Sequence, residues 1–165
     1  MSVYLDWAAT APVDPSAIEE MEMALRDAWG NPSSRHESGK RAAELLSSAR
    51  ARCAAALGVL ADCVVFTSGG TESDYLPMLS LLQRPVRGTI AVSAVEHPAI
   101  AEQARSLETT GWKTLTIPVT REGFVTPEAV VSSIREDTAF VAVMAVNNET
   151  GAVQPVREVS EALTA

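Results

Sequence analysis

The fold of this chain is decided by residues 66–73, which read Phe66-Thr67-Ser68-Gly69-Gly70-Thr71-Glu72-Ser73. The apolar residues 64–66 predict a short buried strand, and the segment after the two glycines can form a helix. A strand, a glycine turn and a helix start direct free backbone N–H groups and the positive end of a helix dipole at one point. Because a side chain would keep a phosphate group away from the backbone, the glycines favour a phosphate-binding turn.

The same stretch also excludes two common kinds of phosphate site. It lacks the lysine of a P-loop and the G-x-G-x-x-G spacing of a dinucleotide site, so we expect any phosphate bound here to belong to a molecule other than ATP or NAD. The alternative interpretation is an ordinary strand-to-helix turn with Thr71 as the N-cap. The local sequence favours neither interpretation over the other.

The composition limits the possible partners. A net charge of -8 over 165 residues, with Lys40 and Lys113 as the only lysines, argues against a nucleic-acid partner. The spacing of Cys53 and Cys63 fits no zinc pattern, so we expect no metal site and two inert thiols in a reducing compartment. We expect no signal peptide, because no charged start is followed by an apolar run, and no apolar run reaches membrane-spanning length. We therefore expect a cytoplasmic protein without a membrane partner.

Strands alternate with helices along the chain. The predicted strands after residue 66 are residues 89–92, 113–117 and 140–146, and the predicted helices are 15–29, 39–57, 72–83, 98–110, 127–135 and 155 or 156–165. The strands are apolar without a polar face, which predicts an α/β fold with a mostly parallel sheet and helices on both faces. The last helix stops at Ala165 without a glycine cap or a following strand. We therefore expect one partial domain over residues 1–165, with a C-terminal half missing.

Three polar clusters follow three of the predicted strands. They are residues 68–71 (Ser-Gly-Gly-Thr), 96–98 (Glu-His-Pro) and 147–151 (Asn-Asn-Glu-Thr-Gly). Ligands of open parallel sheets bind beyond the carboxyl ends of the strands, so the fold would gather these clusters in one crevice.

Each cluster also has a purely structural interpretation. His97 can transfer protons or lie flat on an aromatic cofactor, but a single histidine before a proline-started helix is more often bonded to a backbone group. The amides of Asn147 and Asn148 can orient a ring hydroxyl, but asparagine and glycine are also common in turns.

Five motifs occur in order over essentially the whole chain. They are residues 4–15 (with Tyr4-Leu5-Asp6, Ala8-Ala9-Thr10 and Pro12-Val13-Asp14-Pro15), Gly30-Asn31-Pro32-Ser33-Ser34, residues 66–74, Glu96-His97, and Val146-Asn147-Asn148-Glu149-Thr150-Gly151. Together they resemble the N-terminal half of a NifS/IscS-type cysteine desulfurase. This family belongs to the class V aminotransferase group of fold-type I pyridoxal-phosphate enzymes, so the resemblance implies part of their large domain.

The resemblance also implies roles for individual residues. Gly70 and Thr71 would bind the phosphate of pyridoxal 5'-phosphate, His97 would stack on the pyridine ring and move protons, and Asn148 would hydrogen-bond the ring hydroxyl. Thr10 and Asn31 would lie near the substrate. The family forms an imine between the cofactor and L-cysteine, passes the sulfur to a cysteine thiolate as a persulfide and releases alanine.

Several parts of the family's catalytic machinery have no match in this sequence. These are the imine-forming lysine, the aspartate that pairs with the pyridine nitrogen and the loop with the nucleophilic cysteine; Lys40, Lys113, Cys53 and Cys63 match none of them. Tyr75 and Pro77 also depart from the family's usual residues. We therefore expect a fragment or split subunit that is inactive alone.

The resemblance further implies partners for the complete enzyme. They are the missing half or a second subunit, a second copy in a homodimer, and an acceptor or scaffold protein for sulfur transfer in iron-sulfur cluster assembly. The alternatives are another class V enzyme, such as an aminotransferase or a selenocysteine lyase, and a non-catalytic remnant that binds a full-length homologue.

Overall fold

The computed structural model describes residues 3–164, which form two compact units with the boundary between Phe66 and Thr67. The prediction of one partial domain over residues 1–165 stays a prediction. The predicted end of the last helix at Ala165 lies outside the described residues.

The first unit contains helix α1 (Pro15–Asp27), helix α2 (Glu37–Leu57) and a 3-10 turn (Ala61–Cys63). Helix α1 begins where expected because proline suits the first helical position and the Asp14 side chain accepts a hydrogen bond from the Ser16 N–H at 2.9 Å. Helix α2 ends at Gly58, whose φ of 68° is a left-handed conformation that glycine adopts readily.

The second unit alternates helices and strands. In chain order it consists of α3 (Gly70–Leu79), a 3-10 turn (Ser80–Gln83), β1 (Thr89–Ser93), α4 (Pro98–Glu108), β2 (Lys113–Ile117), α5 (Pro127–Ser133), β3 (Thr138–Ala142) and α6 (Val156–Thr164). The strands form a parallel sheet in the order β2-β1-β3. None of the described helices combines the length and apolar composition that a membrane span requires.

Helices cover the sheet on both faces. On one face, α3 and α4 bury a cluster that includes Met78, Ile90, Val92, Ile100 and Leu107. On the other face, α5 and α6 contribute to a second cluster, formed by Ala91, Ile117, Val125, Val130 and Val159. Neighbouring residues of β1 point to opposite faces, as the pleat of a strand requires. The predicted α/β fold with a parallel sheet and helices on both faces is confirmed.

The predicted strand at residues 64–66 is wrong. These residues are in neither a helix nor a strand, and the side chain of Val65 is 70% exposed. Arg50 holds the segment instead: its Nε donates to the Val64 carbonyl at 3.2 Å and its guanidinium lies 5.4 Å from the centre of the Phe66 ring. A strand requires a neighbour for its backbone groups, and residues 64–66 pair with no strand in the described part of the chain.

Two other predicted elements are displaced. Strand β3 ends at Ala142, four residues before the predicted end, because its pairing with β1 ends there. Val146, at the predicted end, instead forms an isolated antiparallel bridge with Val153. Helix α3 begins at Gly70, two residues before the predicted start, and becomes a 3-10 turn at Ser80. Pro77 lies in its last turn and has no N–H to continue the helical hydrogen bonds.

Candidate functional site

The candidate site lies at the carboxyl edge of the sheet, by which we mean the residues that follow β1 and β3. An open cleft of about 440 Å³ occupies this edge. Its walls include Ser73 and Asp74 of α3, Glu96 and His97 after β1, and Met144 after β3. Glu96 and His97 of the second predicted cluster border this cleft directly. The cleft approaches the other two clusters only as far as Ser73, two residues after the first, and Ala145, two residues before the third.

The N-terminus of α3 has free hydrogen-bond donors. Its N-cap is Gly69, which supplies no side-chain acceptor. Within residues 3–164, the backbone N–H groups of Gly70, Thr71 and Glu72 have no hydrogen-bond partner. A Cβ built on Gly69 or Gly70 would meet no protein atom within 4 Å, so internal packing does not require these glycines. Thr71 is inside the helix, and the alternative interpretation with Thr71 as the N-cap is wrong.

Two side-chain contacts hold the loop before α3 in place. The Glu72 carboxylate accepts hydrogen bonds from both the N–H and the hydroxyl of Ser68, each at 2.6 Å. The Thr67 and Ser73 hydroxyls lie 2.6 Å apart. The side-chain and then the backbone hydrogen bond from Ser68 lower the pKa of Glu72, because both stabilise the ionised carboxylate. The loop is thus held by contacts that leave the first N–H groups of α3 free.

We expect this loop to loosen in acid. Since the pKa of Glu72 is lower in the folded chain, its hydrogen bonds stabilise the fold above the carboxyl's unfolded pKa and are lost as the pH falls through the folded pKa. The amide chemical shift of Ser68 should therefore titrate with a midpoint below that of an ordinary glutamate. In Glu72→Gln this titration should vanish, and its persistence would contradict the assignment.

His97 is the N-cap of α4. Its Nδ1 accepts a hydrogen bond from the Ala99 N–H at 3.0 Å, while its side chain is exposed. Because Nδ1 is the acceptor, the neutral imidazole carries its proton on Nε2. The structural interpretation of His97, a helix-start histidine bonded to the backbone, is correct for its Nδ1 atom. It leaves Nε2 and the ring available to a ligand.

The two neighbouring asparagines have different surroundings. Asn147 is buried, and its Oδ1 accepts hydrogen bonds from the N–H groups of Glu149 and Thr150, at 3.0 and 2.9 Å, and from the Thr150 hydroxyl at 3.1 Å. Gly151 completes this turn with a φ of 73°. Asn148 is exposed and makes no side-chain hydrogen bond to any described residue. The turn interpretation therefore applies to Asn147, and the Asn148 amide is free for a ligand.

Three side chains that follow β1 or β3 make hydrogen bonds that were not predicted from the sequence. Glu96 Oε1 accepts from the Met144 N–H at 2.5 Å, and Asn147 Nδ2 donates to the Val95 carbonyl at 3.0 Å. The buried amide of Gln154 accepts from the Val125 N–H at 2.8 Å and donates to the Gly123 carbonyl at 2.9 Å. The one signal in the sequence was the position of Glu96 directly before His97, which could have drawn attention to Glu96 but not to its contact with Met144.

Two predicted site residues, Thr10 and Asn31, belong to the first unit. The Thr10 carbonyl accepts a hydrogen bond from the Tyr4 hydroxyl at 3.2 Å. Asn31 Oδ1 accepts from the Ser33 N–H at 2.9 Å, which is ordinary turn chemistry. Their assignment to the substrate stays a prediction.

The donors at the carboxyl edge fit an organic phosphate with an aromatic ring. The free N–H groups at the start of α3 suit a phosphate, and the exposed His97 ring and Asn148 amide suit a heteroaromatic ring with a hydroxyl. Lys113 begins β2 and therefore lies at the amino end of the strands, away from this edge. In residues 3–164, no group of three or more His, Cys, Asp or Glu residues could hold a metal ion.

Comparison with known proteins relates this arrangement to a family. Residues 3–165 match the aminotransferase class-V family model. The chain is 40% identical over 163 residues to a NifS/IcsS protein homolog of Lactobacillus delbrueckii subsp. bulgaricus, covering 98% of this chain and 42% of that protein. It is 38% identical to the cysteine desulfurase IscS of Dictyoglomus turgidum, covering 96% and 41%.

Two further comparisons extend this similarity. The selenocysteine lyase of Bos taurus is 36% identical, with 99% of this chain and 42% of that protein covered. The solved structure of a NifS-like protein superimposes with a TM-score of 0.92 at 36% identity, over 99% of this chain and 46% of that one. The chain thus spans about two fifths of the length of the curated relatives it matches.

Proposed function

Because the chain belongs to the class V aminotransferase family, we propose that it carries the phosphate-binding part of the pyridoxal 5'-phosphate site of a cysteine desulfurase. Enzymes of this family use pyridoxal phosphate, which supplies an electron sink when it is bound. The complete enzyme would remove sulfur from L-cysteine, release alanine and pass the sulfur to an acceptor protein. The proposal also includes a homodimer, a cytoplasmic location and a role in iron-sulfur cluster assembly.

The observation that carries the proposal is the uncapped start of α3. Helix N-termini are normally capped by a serine, threonine, aspartate or asparagine side chain, and here glycine leaves three N–H groups free. A phosphate would accept from Gly70 and Thr71, with the hydroxyl of Thr71 as a further donor. The helix dipole adds to this attraction because its positive end points at the anion.

The remaining residues of the edge have separate tasks in this proposal. His97 would lie against the ring and hold or move a proton at Nε2, since Nδ1 is engaged by Ala99. Asn148 would bind the ring hydroxyl. We keep Thr10 and Asn31 as candidates for contacts with the substrate. Lys113 has no task, because it lies at the opposite end of its strand.

Selenocysteine lyase activity is the second candidate function. It is supported by the 36% identity to the bovine enzyme of that name. The two activities differ in whether sulfur or selenium is removed from the substrate, so comparing turnover of L-cysteine and L-selenocysteine by the protein completed to the relatives' length separates them.

The phosphate site can be tested on this chain alone by nuclear magnetic resonance. Adding pyridoxal phosphate should shift the amide signals of Gly70, Thr71 and Glu72, whereas pyridoxal without its phosphate should not. In Thr71→Ala the dissociation constant should rise about fivefold, because a hydrogen bond contributes about 1 kcal/mol. The control Thr109→Ala removes a hydroxyl at the far end of α4 and should bind like the unchanged chain. Equal shifts with both ligands would refute a phosphate site at α3.

A covalent link between the cofactor and this chain is not expected. Neither Lys40 nor Lys113 matches the family's cofactor-binding lysine, and Lys113 lies at the amino end of β2. Borohydride reduction of the chain with pyridoxal phosphate, followed by digestion and mass spectrometry, should therefore yield no stoichiometrically labelled lysine. Full labelling of either lysine would show that the chain has its own anchor.

A further inference from the structure

We propose that Glu96 is a positioning residue that acts together with Asn147. The two side chains form a brace between the segments after β1 and β3, and this brace sets the distance between His97 and Asn148. The inference rests on the proposed function, because it concerns how the chain would hold the ring of pyridoxal phosphate.

The brace begins where the sheet ends. The backbones of β1 and β3 are hydrogen-bonded as parallel neighbours up to Val92 and Ala142. Beyond that point, within residues 3–164, the hydrogen bonds that join residues 94–97 to residues 143–148 both come from side chains. They are the bond from the Met144 N–H to Glu96 and the bond from the Asn147 amide to the Val95 carbonyl.

The two bonds run in opposite directions. Glu96 reaches from the first segment to the backbone of the second, and Asn147 reaches from the second segment to the backbone of the first. Glu96 is half-buried, and the same oxygen that accepts from Met144 also accepts from the Ser93 hydroxyl at 2.7 Å. Asn147 is 9% exposed, with its oxygen engaged by the turn that follows. The polar end of each bracing side chain is therefore held by more than one hydrogen bond.

Each bracing residue immediately precedes a predicted ligand contact. His97 follows Glu96, and Asn148 follows Asn147; both are exposed. Asn148 makes no side-chain hydrogen bond to a described residue, so its position depends on the backbone that carries it. A ligand held between the two segments would need their separation to be fixed beforehand, since a misplaced contact contributes little binding.

The brace itself can be measured by hydrogen exchange of the Met144 amide in the unliganded chain. Hydrogen bonds to charged groups are stronger than neutral ones, so Glu96→Ala should increase the exchange rate of this amide about tenfold or more. Glu96→Gln keeps an acceptor oxygen and should retain most of the protection. The matched control Glu102→Ala removes an exposed carboxylate on α4 that pairs with Arg105, and should leave Met144 unchanged.

The positioning role is tested by titrating the same variants with pyridoxal phosphate and recording nuclear magnetic resonance spectra. In the unchanged chain, the α3 amides, the His97 ring and the Asn148 side-chain amide should all shift. In Glu96→Ala the α3 amides should still shift, because the phosphate contacts remain, which also shows that this variant is folded. The His97 and Asn148 signals should lose most of their response, and Glu96→Gln should restore it.

The outcomes separate the two proposals. If the α3 amides of the unchanged chain do not shift, the proposed function fails and the positioning role fails with it. If those amides shift and the His97 and Asn148 signals respond equally in Glu96→Ala, the phosphate site stands and the positioning role is wrong. If Met144 exchanges at the same rate in Glu96→Ala, the brace does not exist.

Discussion

Replacing His97 by alanine should lower the turnover of L-cysteine about a hundred- to ten-thousand-fold, the range that general acid–base residues contribute. The measurement is alanine release at saturating pyridoxal phosphate, in protein completed to the length of the relatives. The effect is expected on kcat because His97 would hold or move a proton at Nε2. Phosphate binding should be retained, since Gly70 and Thr71 are unchanged.

The helix-capping role of His97 must be separated from its chemistry. His97→Asn is the decisive variant, because asparagine is a good N-cap but has no imidazole. It should lose activity as severely as His97→Ala while preserving α4. His36 is a matched control: it is also an N-cap histidine, whose Nδ1 accepts from the Gly39 N–H at 3.3 Å, and the resemblance gives it no task. Normal turnover in His97→Asn would mean that the histidine is only a cap.

Replacing Ile90 by alanine should lower the free energy of unfolding by about 2–5 kcal/mol. Ile90 is fully buried in β1, the central strand of the sheet, and it packs in the cluster beneath α3 and α4. A loss of this size is a large part of the 5–15 kcal/mol that typically stabilises a domain. Urea denaturation followed by circular dichroism measures it.

Ile18→Ala is the control for this experiment. It removes the same atoms from a side chain on α1 that is 40% exposed. Its effect should be well below that of Ile90→Ala, since less apolar surface leaves contact with the protein. Equal losses from the two variants would contradict the buried position of β1.

The sequence predicts the second unit well because its signals are local. Proline in the first turn marks the start of α4 and α5, and the apolar run at β1 marks a strand covered on both faces. The strand predicted at residues 64–66 has the same kind of apolar run and is nevertheless absent. Whether an apolar run becomes a strand depends on a partner for its backbone, and that partner is a distant segment that no local pattern reveals.

The candidate site likewise has a part that the sequence predicts and a part that it does not. The clusters that contain Gly70, Thr71, His97 and Asn148 could be proposed from residue types and from the order of strands and helices, and the resemblance to the family singled out these four residues within them. The roles of Glu96 and Asn147 could not, because they depend on two segments 48 to 52 residues apart in sequence meeting at hydrogen-bond distance. A carboxylate next to a histidine gives no indication that its partner is the backbone of Met144.

The glycine cap of α3 couples the stability of the second unit to the solution around it. A helix that does not satisfy its own first N–H groups has one end that an anion can complete, and any anion bound only by the folded chain raises stability by RT ln(1 + [L]/Kd). The anion in the buffer thus affects the measured free energy of unfolding. The melting temperature in phosphate should be higher than in an uncharged buffer of equal ionic strength. In Thr71→Ala the difference between the two melting temperatures should be smaller.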